Sequence, residues 1–153
     1  DITRAEFAAI VVRALGLMSP GSGKEAFIDV MKKSWYYDAV SIAYEYGIIS
    51  GYGNGKFGPD DKITREQAMT MIARAMKITG LKVELADGEA DRLLTSFTDA
   101  NSAAEYAKAN IASCVKAGIV SGRNGKLIVP KDNITRAEVA VIVHRLLQNS
   151  NLI

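Results

Sequence analysis

The chain has 153 residues, 48% of them hydrophobic, enough to bury a core, so one compact domain over 1–153 is the default expectation. Charged residues make up 24% and the formal net charge is only +2, with the 19 Lys and Arg scattered rather than striped, which argues against a nucleic-acid binder. A single cysteine, Cys114, excludes an intramolecular disulfide, and the longest apolar run, residues 7–12, is broken by Arg13 long before it could span a bilayer. Such a composition fits the cytosol as well as a bacterial surface.

The first element starts at "ITRAE", residues 2–6, a pattern that returns as "ITREQ" at 63–67 and "ITRAE" at 134–138. Thr3 with Glu6, Thr64 with Gln67 and Thr135 with Glu138 each form a T-x-x-E/Q capping box, and Ile2, Ile63 and Ile134 occupy the staple position before it. Counted from each threonine, the same six offsets are apolar in all three copies: Phe7, Ala8, Ile10, Val11, Ala14 and Leu15 in the first. This is the wide apolar stripe of an amphipathic helix. Arg13, Arg74 and Arg145 fall opposite the stripe, where solvated surface is expected.

Between the capped helices a second half repeats, at 27–62 and 97–133. It shares Phe27-x-Asp29 with Phe97-x-Asp99, then Trp35 before Gly47 and Tyr106 before Gly118, then Gly51 and Gly122, then Pro59 and Pro130. The pattern predicts a turn capped by aspartate, a helix of about three turns with a glycine at its C-terminus, and a Gly/Asn-rich loop with a hairpin-like excursion. Residues 82–96 read as a linker with one helical turn, and Cys114, in an apolar helical run, as a small buried hydrophobe.

The expected fold is all-α: a pseudo-threefold helical bundle, a three-pronged spindle, of helix–loop–helix repeats. Its units are a partial first repeat at 1–26, a second repeat with linker at 27–96 and a third at 97–153. Three capped helices stand against two front halves, so either the chain is a trimmed fragment or a second chain completes the first repeat.

Arg4, Arg65 and Arg136 stand at the first helical position, where the helix dipole makes a cation cost a few tenths to about 1 kcal/mol. A compensating use is expected: the fork of a guanidinium beside unpaired helix N-terminal amides suits a carboxylate or phosphate. An ion pair with Asp29 or Asp99, or a bond to a neighbour's loop carbonyls, explains the arginines as well. On the ligand reading, Arg65→Ala leaves the cap intact and therefore the stability nearly unchanged.

Taken together, F-x-D, the aromatic, G-I-I/V, "GYGNGKFGP" and I-T-R-A-E resemble the S-layer homology family of bacterial cell-surface anchoring modules. The resemblance covers nearly the whole chain. It implies noncovalent anchoring to a secondary cell wall polysaccharide linked to peptidoglycan, often pyruvylated, bound in grooves between repeats, and hence an extracellular location at the cell wall or surface layer. By position it assigns glycan binding to Arg4, Arg65, Arg136, Asp29, Asp99, Trp35, Tyr106, Gly51 and Gly122. Three departures stand out: "GRNGKLIVP" lacks the Tyr and Phe of the earlier loop, the second capped helix reads T-R-E-Q, and the first front half is missing.

An enzyme is not expected. His144 is the only histidine and has no nucleophile partner, Asp60-Asp61 reads as loop and helix-dipole residues, and "GYGNGKFGPDD" lacks the alternating oxygen ligands of a calcium loop. Neither cofactor nor metal is expected, nor a membrane or nucleic-acid partner. The alternative function is a protein–protein assembly module of a surface layer, with the aromatics of residues 35–46 as its contact surface.

Overall fold

The computed structural model describes residues 1–153 as an all-helical chain without strands. Its helices are α1 (Arg4–Ala14), α2 (Tyr37–Glu45), α3 (Arg65–Thr79), α4 (Glu89–Leu94), α5 (Glu105–Lys116) and α6 (Arg136–Asn149), with one 3-10 turn at Ala100–Ser102. None is long and apolar enough to cross a membrane.

Helices α1, α3 and α6 begin as the sequence predicts. In each, the capping threonine accepts the N3 amide while the N3 Glu or Gln side chain accepts the threonine's own amide. The staple residues Ile2, Ile63 and Ile134 are fully buried. Gly47 and Gly118 follow α2 and α5 with φ of +74°, the left-handed conformation that ends a helix without Cβ strain. The six-residue α4 lies within the expected linker.

The turn capped by aspartate is not found. The residues at the N-cap positions of α2 and α5, Tyr36 and Ala104, make no side-chain capping bond. Instead, both oxygens of Asp29 accept loop amides, from Phe57 at 2.9 Å and Gly58 at 2.8 Å. Asp99 does the same for Ile128 at 2.9 Å and Val129 at 2.8 Å. A carboxylate can satisfy two amides that a sharply turned loop leaves without backbone partners, which explains why it was spent there rather than on a helix.

Two compact units divide the chain, Asp1–Ile63 and Thr64–Ile153. In the first, α1 packs on α2, with Phe7, Ala8, Val12, Ala39, Val40, Ala43 and Phe57 wholly buried. In the second, α3 packs chiefly on α5, α4 also rests on α5, and α3 touches α6. Fully burying one such Ile or Phe is worth about 1.5–3 kcal/mol. Cys114 lies in this second core, its thiol 3.3 Å from the Met69 carbonyl oxygen and pushed up to about 12 by burial. It is a buried hydrophobe, not a nucleophile.

These units are out of phase with the sequence repeats. Each glycine loop closes on the capped helix that precedes it in the chain. Arg4 and Ala5 amides donate to Asp61 and Pro59 carbonyls at 2.8 and 3.0 Å, and Arg65 and Glu66 amides to Asp132 and Pro130 carbonyls at 2.8 and 3.0 Å. Isolated antiparallel bridges, Thr3 with Lys62 and Thr64 with Asn133, fix the same closure. The physical module is therefore a capped helix followed by a front half. A fragment of residues 64–153 is expected to unfold cooperatively by circular dichroism, whereas residues 97–153, cut at the sequence repeat, lose the helix their loop closes on and give no cooperative transition.

Candidate functional site

The amides at the starts of α1 and α3 are not available to a ligand. The first two donate to loop carbonyls and the third to the capping threonine. That corrects the expectation of unpaired amides at these two entrances. The arginines beside them are buried as well, Arg4 to 7% and Arg65 to 4% exposure. Arg4 Nε donates to the Phe57 carbonyl at 2.8 Å and Arg65 Nε to the Ile128 carbonyl at 2.7 Å. Each unfavourably placed cation thus clamps the glycine loop, at the residue whose amide Asp29 or Asp99 holds from the other side. Arg136, by contrast, is exposed at the start of α6, as is Ala137.

The same backbone holds two different chemistries. In the first unit Tyr52 covers the guanidinium of Arg4, 4.5 Å from ring centroid to Cζ, with the Phe57 ring at 4.7 Å. The Tyr52 hydroxyl donates to Asp61 at 2.6 Å; burial first, then this bond, raises its pKa. In the second unit the tyrosine position is Arg123, with the same hairpin bond, its amide 2.8 Å from the Leu127 carbonyl oxygen, as Tyr52 has to Lys56. Arg123 Nη1 reaches Asp132 at 3.0 Å, in place of the tyrosine's bond to Asp61.

Arg123 also grips Glu138 with two bonds, Nε to Oε2 and Nη2 to Oε1, both 3.1 Å. Arg65 pairs with the same Oε2. Burial alone would raise Glu138, but bonds from Arg123 and the Thr135 amide, with the charges of Arg65 and Arg123, outweigh it and hold the group at about 2. Arg65 is lowered by burial, opposed by Glu138. Arg123 is raised, chiefly by its bond to Glu138.

Beside Arg65 and Glu138 of this cluster runs a groove of about 250 Å³ between α3, the segment after α5, and α6. Arg65, Glu138, Ser121, Gly122 and Arg145 line it, together with Met69, Ile119 and Val141 among the apolar residues. Gly122 has φ of +81°, and a Cβ there would stand 2.8 Å from both the Leu127 carbonyl oxygen and the Phe97 ring. At Gly51 the same clash falls on Phe27 at 2.5 Å and Lys56 O at 2.8 Å. These glycines let the F-x-D phenylalanine pack under the hairpin. The two aromatics of the sequence pattern lie outside: Trp35 and Tyr106 are each 57% exposed, with Arg13 5.9 Å over the Trp35 ring. Of the three arginines expected at the surface, Arg13 is exposed, while Arg74 and Arg145 are half-buried and Arg145 donates to the Ile119 carbonyl at 3.3 Å.

Three features escaped sequence reasoning. Glu138 already had a role in the capping box, so its ion pairs left no separate trace. Arg123 was visible only as a lost tyrosine. Glu66, the departure in T-R-E-Q, is 3% exposed and accepts the Ala104 amide at 2.8 Å and Lys131 at 2.5 Å, supplying the cap α5 lacks. Its signal is a missing N-cap on α5 opposite an unexplained acid.

Two outcomes are expected. Arg65→Ala strips the Ile128 carbonyl and Glu138 of a buried partner and should cost about 1–3 kcal/mol in chemical denaturation, contrary to the near-neutral effect expected from the cap alone. Glu138 is depressed from 4.5 to about 2, so its stabilisation is complete above the unfolded value and is lost as pH falls through that window. Melting temperature followed from pH 5 to pH 2 should therefore fall more steeply in the wild type than in Glu138→Gln.

Comparisons with known proteins agree with this architecture. The S-layer homology domain family matches at residues 26–69 and 96–140. The chain is 37% identical to "Exoglucanase XynX" of Acetivibrio thermocellus over 98% of its own length, but only 13% of that protein's. It is 34% identical to "Surface-layer 125 kDa protein" of Lysinibacillus sphaericus, covering 97% of this chain and 12% of that one. "Cellulosome-anchoring protein" of Acetivibrio thermocellus matches at 28% identity over 99% of this chain and 33% of its own length. The chain spans a third or less of each of these relatives, and proteins with quite different names share this one part. The chain belongs to the S-layer homology domain family.

Proposed function

We propose that the chain is a non-catalytic anchoring module at the bacterial cell surface, holding a larger protein to a secondary cell wall polysaccharide linked to peptidoglycan. The observation that carries this reading is the groove of the second unit. It is apolar on its floor, has a glycine backbone at its edge, and is walled by guanidinium groups. An apolar floor suits the ring faces of a sugar, and a planar fork of donors suits a carboxylate such as a pyruvate ketal. Relatives named as a surface-layer protein and a cellulosome-anchoring protein support the cell-wall setting. That an exoglucanase is matched over only 13% of its length supports the absence of catalysis in this part.

Within this reading Arg65 and Gly122 border the ligand, and Arg4, Gly51 and the exposed Arg136 belong to corresponding positions in the other copies. Asp29 and Asp99 act at one remove, by holding the loops. Trp35 and Tyr106 offer exposed faces on which a sugar ring can stack. The exposure of Trp35, Tyr44 and Tyr46 on the first unit also favours a second reading, attachment to a protein partner.

Co-sedimentation separates the two. The purified chain should pellet with peptidoglycan that carries its polysaccharide and stay in solution after the polysaccharide is stripped with acid. Equal retention on the stripped material would contradict glycan anchoring and point to bare peptidoglycan or a protein.

A further inference from the structure

In the groove of the second unit a protein carboxylate already sits between two guanidinium groups. We propose that Glu138 is a built-in stand-in for the ligand's carboxylate, and that Arg123 is a specificity residue that receives that carboxylate together with Arg65 once Glu138 gives way. This deepens the glycan-anchoring reading and rests on it.

Three observations carry the assignment. First, Arg65 and both ends of the Arg123 fork converge on Glu138, and Glu138 itself lines the groove. Its side chain keeps 24% exposure and that of Arg123 33%, so neither is sealed into the core. Second, the helix cap uses only one of the two oxygens: Oε1 accepts the Thr135 amide at 3.0 Å and one Arg123 bond, while Oε2 carries the Arg65 pair and the other Arg123 bond. Oε2 can be exchanged for a ligand oxygen while the cap stays closed. Third, the first unit shows what the device replaces. There the arginine is roofed by Tyr52. At the start of α3, in the second unit, the capping residue is the neutral Gln67, which accepts the Thr64 amide at 3.0 Å. A Gln at the capping position is thus compatible with a closed capping box in this protein.

The exchange discriminates by charge. A neutral sugar cannot replace a carboxylate bonded to two cations without leaving Arg65 with no carboxylate and Arg123 with Asp132 alone, whereas an acidic sugar restores every bond that Glu138 releases. Glu138 lowers affinity for all ligands but penalises neutral ones more.

Calorimetric titration of the intact chain tests this, with a pyruvylated wall disaccharide, its non-pyruvylated counterpart and inorganic phosphate as probes. Glu138→Gln should bind the pyruvylated disaccharide about tenfold more tightly than the wild type, because a competing charged hydrogen-bond acceptor is gone. Adding Arg123→Tyr, which installs the arrangement of the first unit, should remove that gain. Melting temperatures confirm that each variant is folded; if the Gln variant is not, Arg123→Tyr alone serves, which should weaken binding of the pyruvylated disaccharide, and unchanged binding there overturns the assignment. Unchanged or weaker binding by folded Glu138→Gln overturns the stand-in, and an equal gain for phosphate overturns the assignment to a carboxylate. If the wild type also fails to co-sediment with polysaccharide-bearing peptidoglycan, the anchoring reading falls too; if it sediments, only the stand-in falls.

Discussion

One bond recurs at the two buried helix entrances and organises what surrounds it: a guanidinium Nε donating to the carbonyl of the loop residue that follows the hairpin, Phe57 for Arg4 and Ile128 for Arg65. The loop residue is held from its amide by Asp29 or Asp99 and from its carbonyl by the arginine. Pinned at both the N–H and the C=O of one residue, the loop presents the Pro and Asp carbonyls to the first two amides of the helix. The dipole penalty of a cation at this position is under about 1 kcal/mol, and charge-assisted bonds to a buried carbonyl outweigh it. The arginines are therefore part of how each unit closes, and a ligand bound as proposed shares them with the loop.

Sharing is where the two units part. Around the same clamp, Tyr52 shields Arg4 with a ring, whereas Arg123 brings a second cation and a carboxylate follows to balance it. The change is coupled to another. A Cβ on Gly58 would strike the Tyr52 ring at 2.5 Å, yet Val129 occupies the matching place with φ of +49°. Such a backbone costs a β-branched residue of order 1–3 kcal/mol. With the tyrosine gone the side chain has room, and Asp99 holds the Val129 amide in place. The second unit accepts strain and a half-buried ion cluster where the first uses an aromatic lid, and the groove beside that cluster is charged.

Much of this was legible in the sequence. Capping boxes, staples, apolar stripes and terminal glycines are local patterns, and they fixed five helix ends because local hydrogen bonding decides them. The phase of the units was not legible, since a tandem pattern can be cut anywhere and only three-dimensional closure shows that a loop returns to the helix before it. A bond from Arg4 and Arg65 to loop carbonyls is one of the alternatives the sequence leaves open, and it is the one found, but spacing does not say which carbonyl accepts or how deeply the arginine is buried. The F-x-D aspartates looked like helix caps or ligand groups because spacing reveals a carboxylate near a turn but not which amides lack partners. Arg123 shows in the sequence only as a missing tyrosine; taken with Val129 as one correlated departure, beside the regular Glu138 of I-T-R-A-E, it marks the charged site.

The most direct measurement is a crystal structure of the chain soaked with a pyruvylated wall disaccharide. The account predicts the ketal carboxylate at hydrogen-bond distance from the guanidinium groups of Arg65 and Arg123, with Glu138 Oε2 swung away and the loop clamp to Ile128 intact. A saccharide bound elsewhere on the second unit, with the Arg65–Glu138–Arg123 cluster undisturbed, would contradict it.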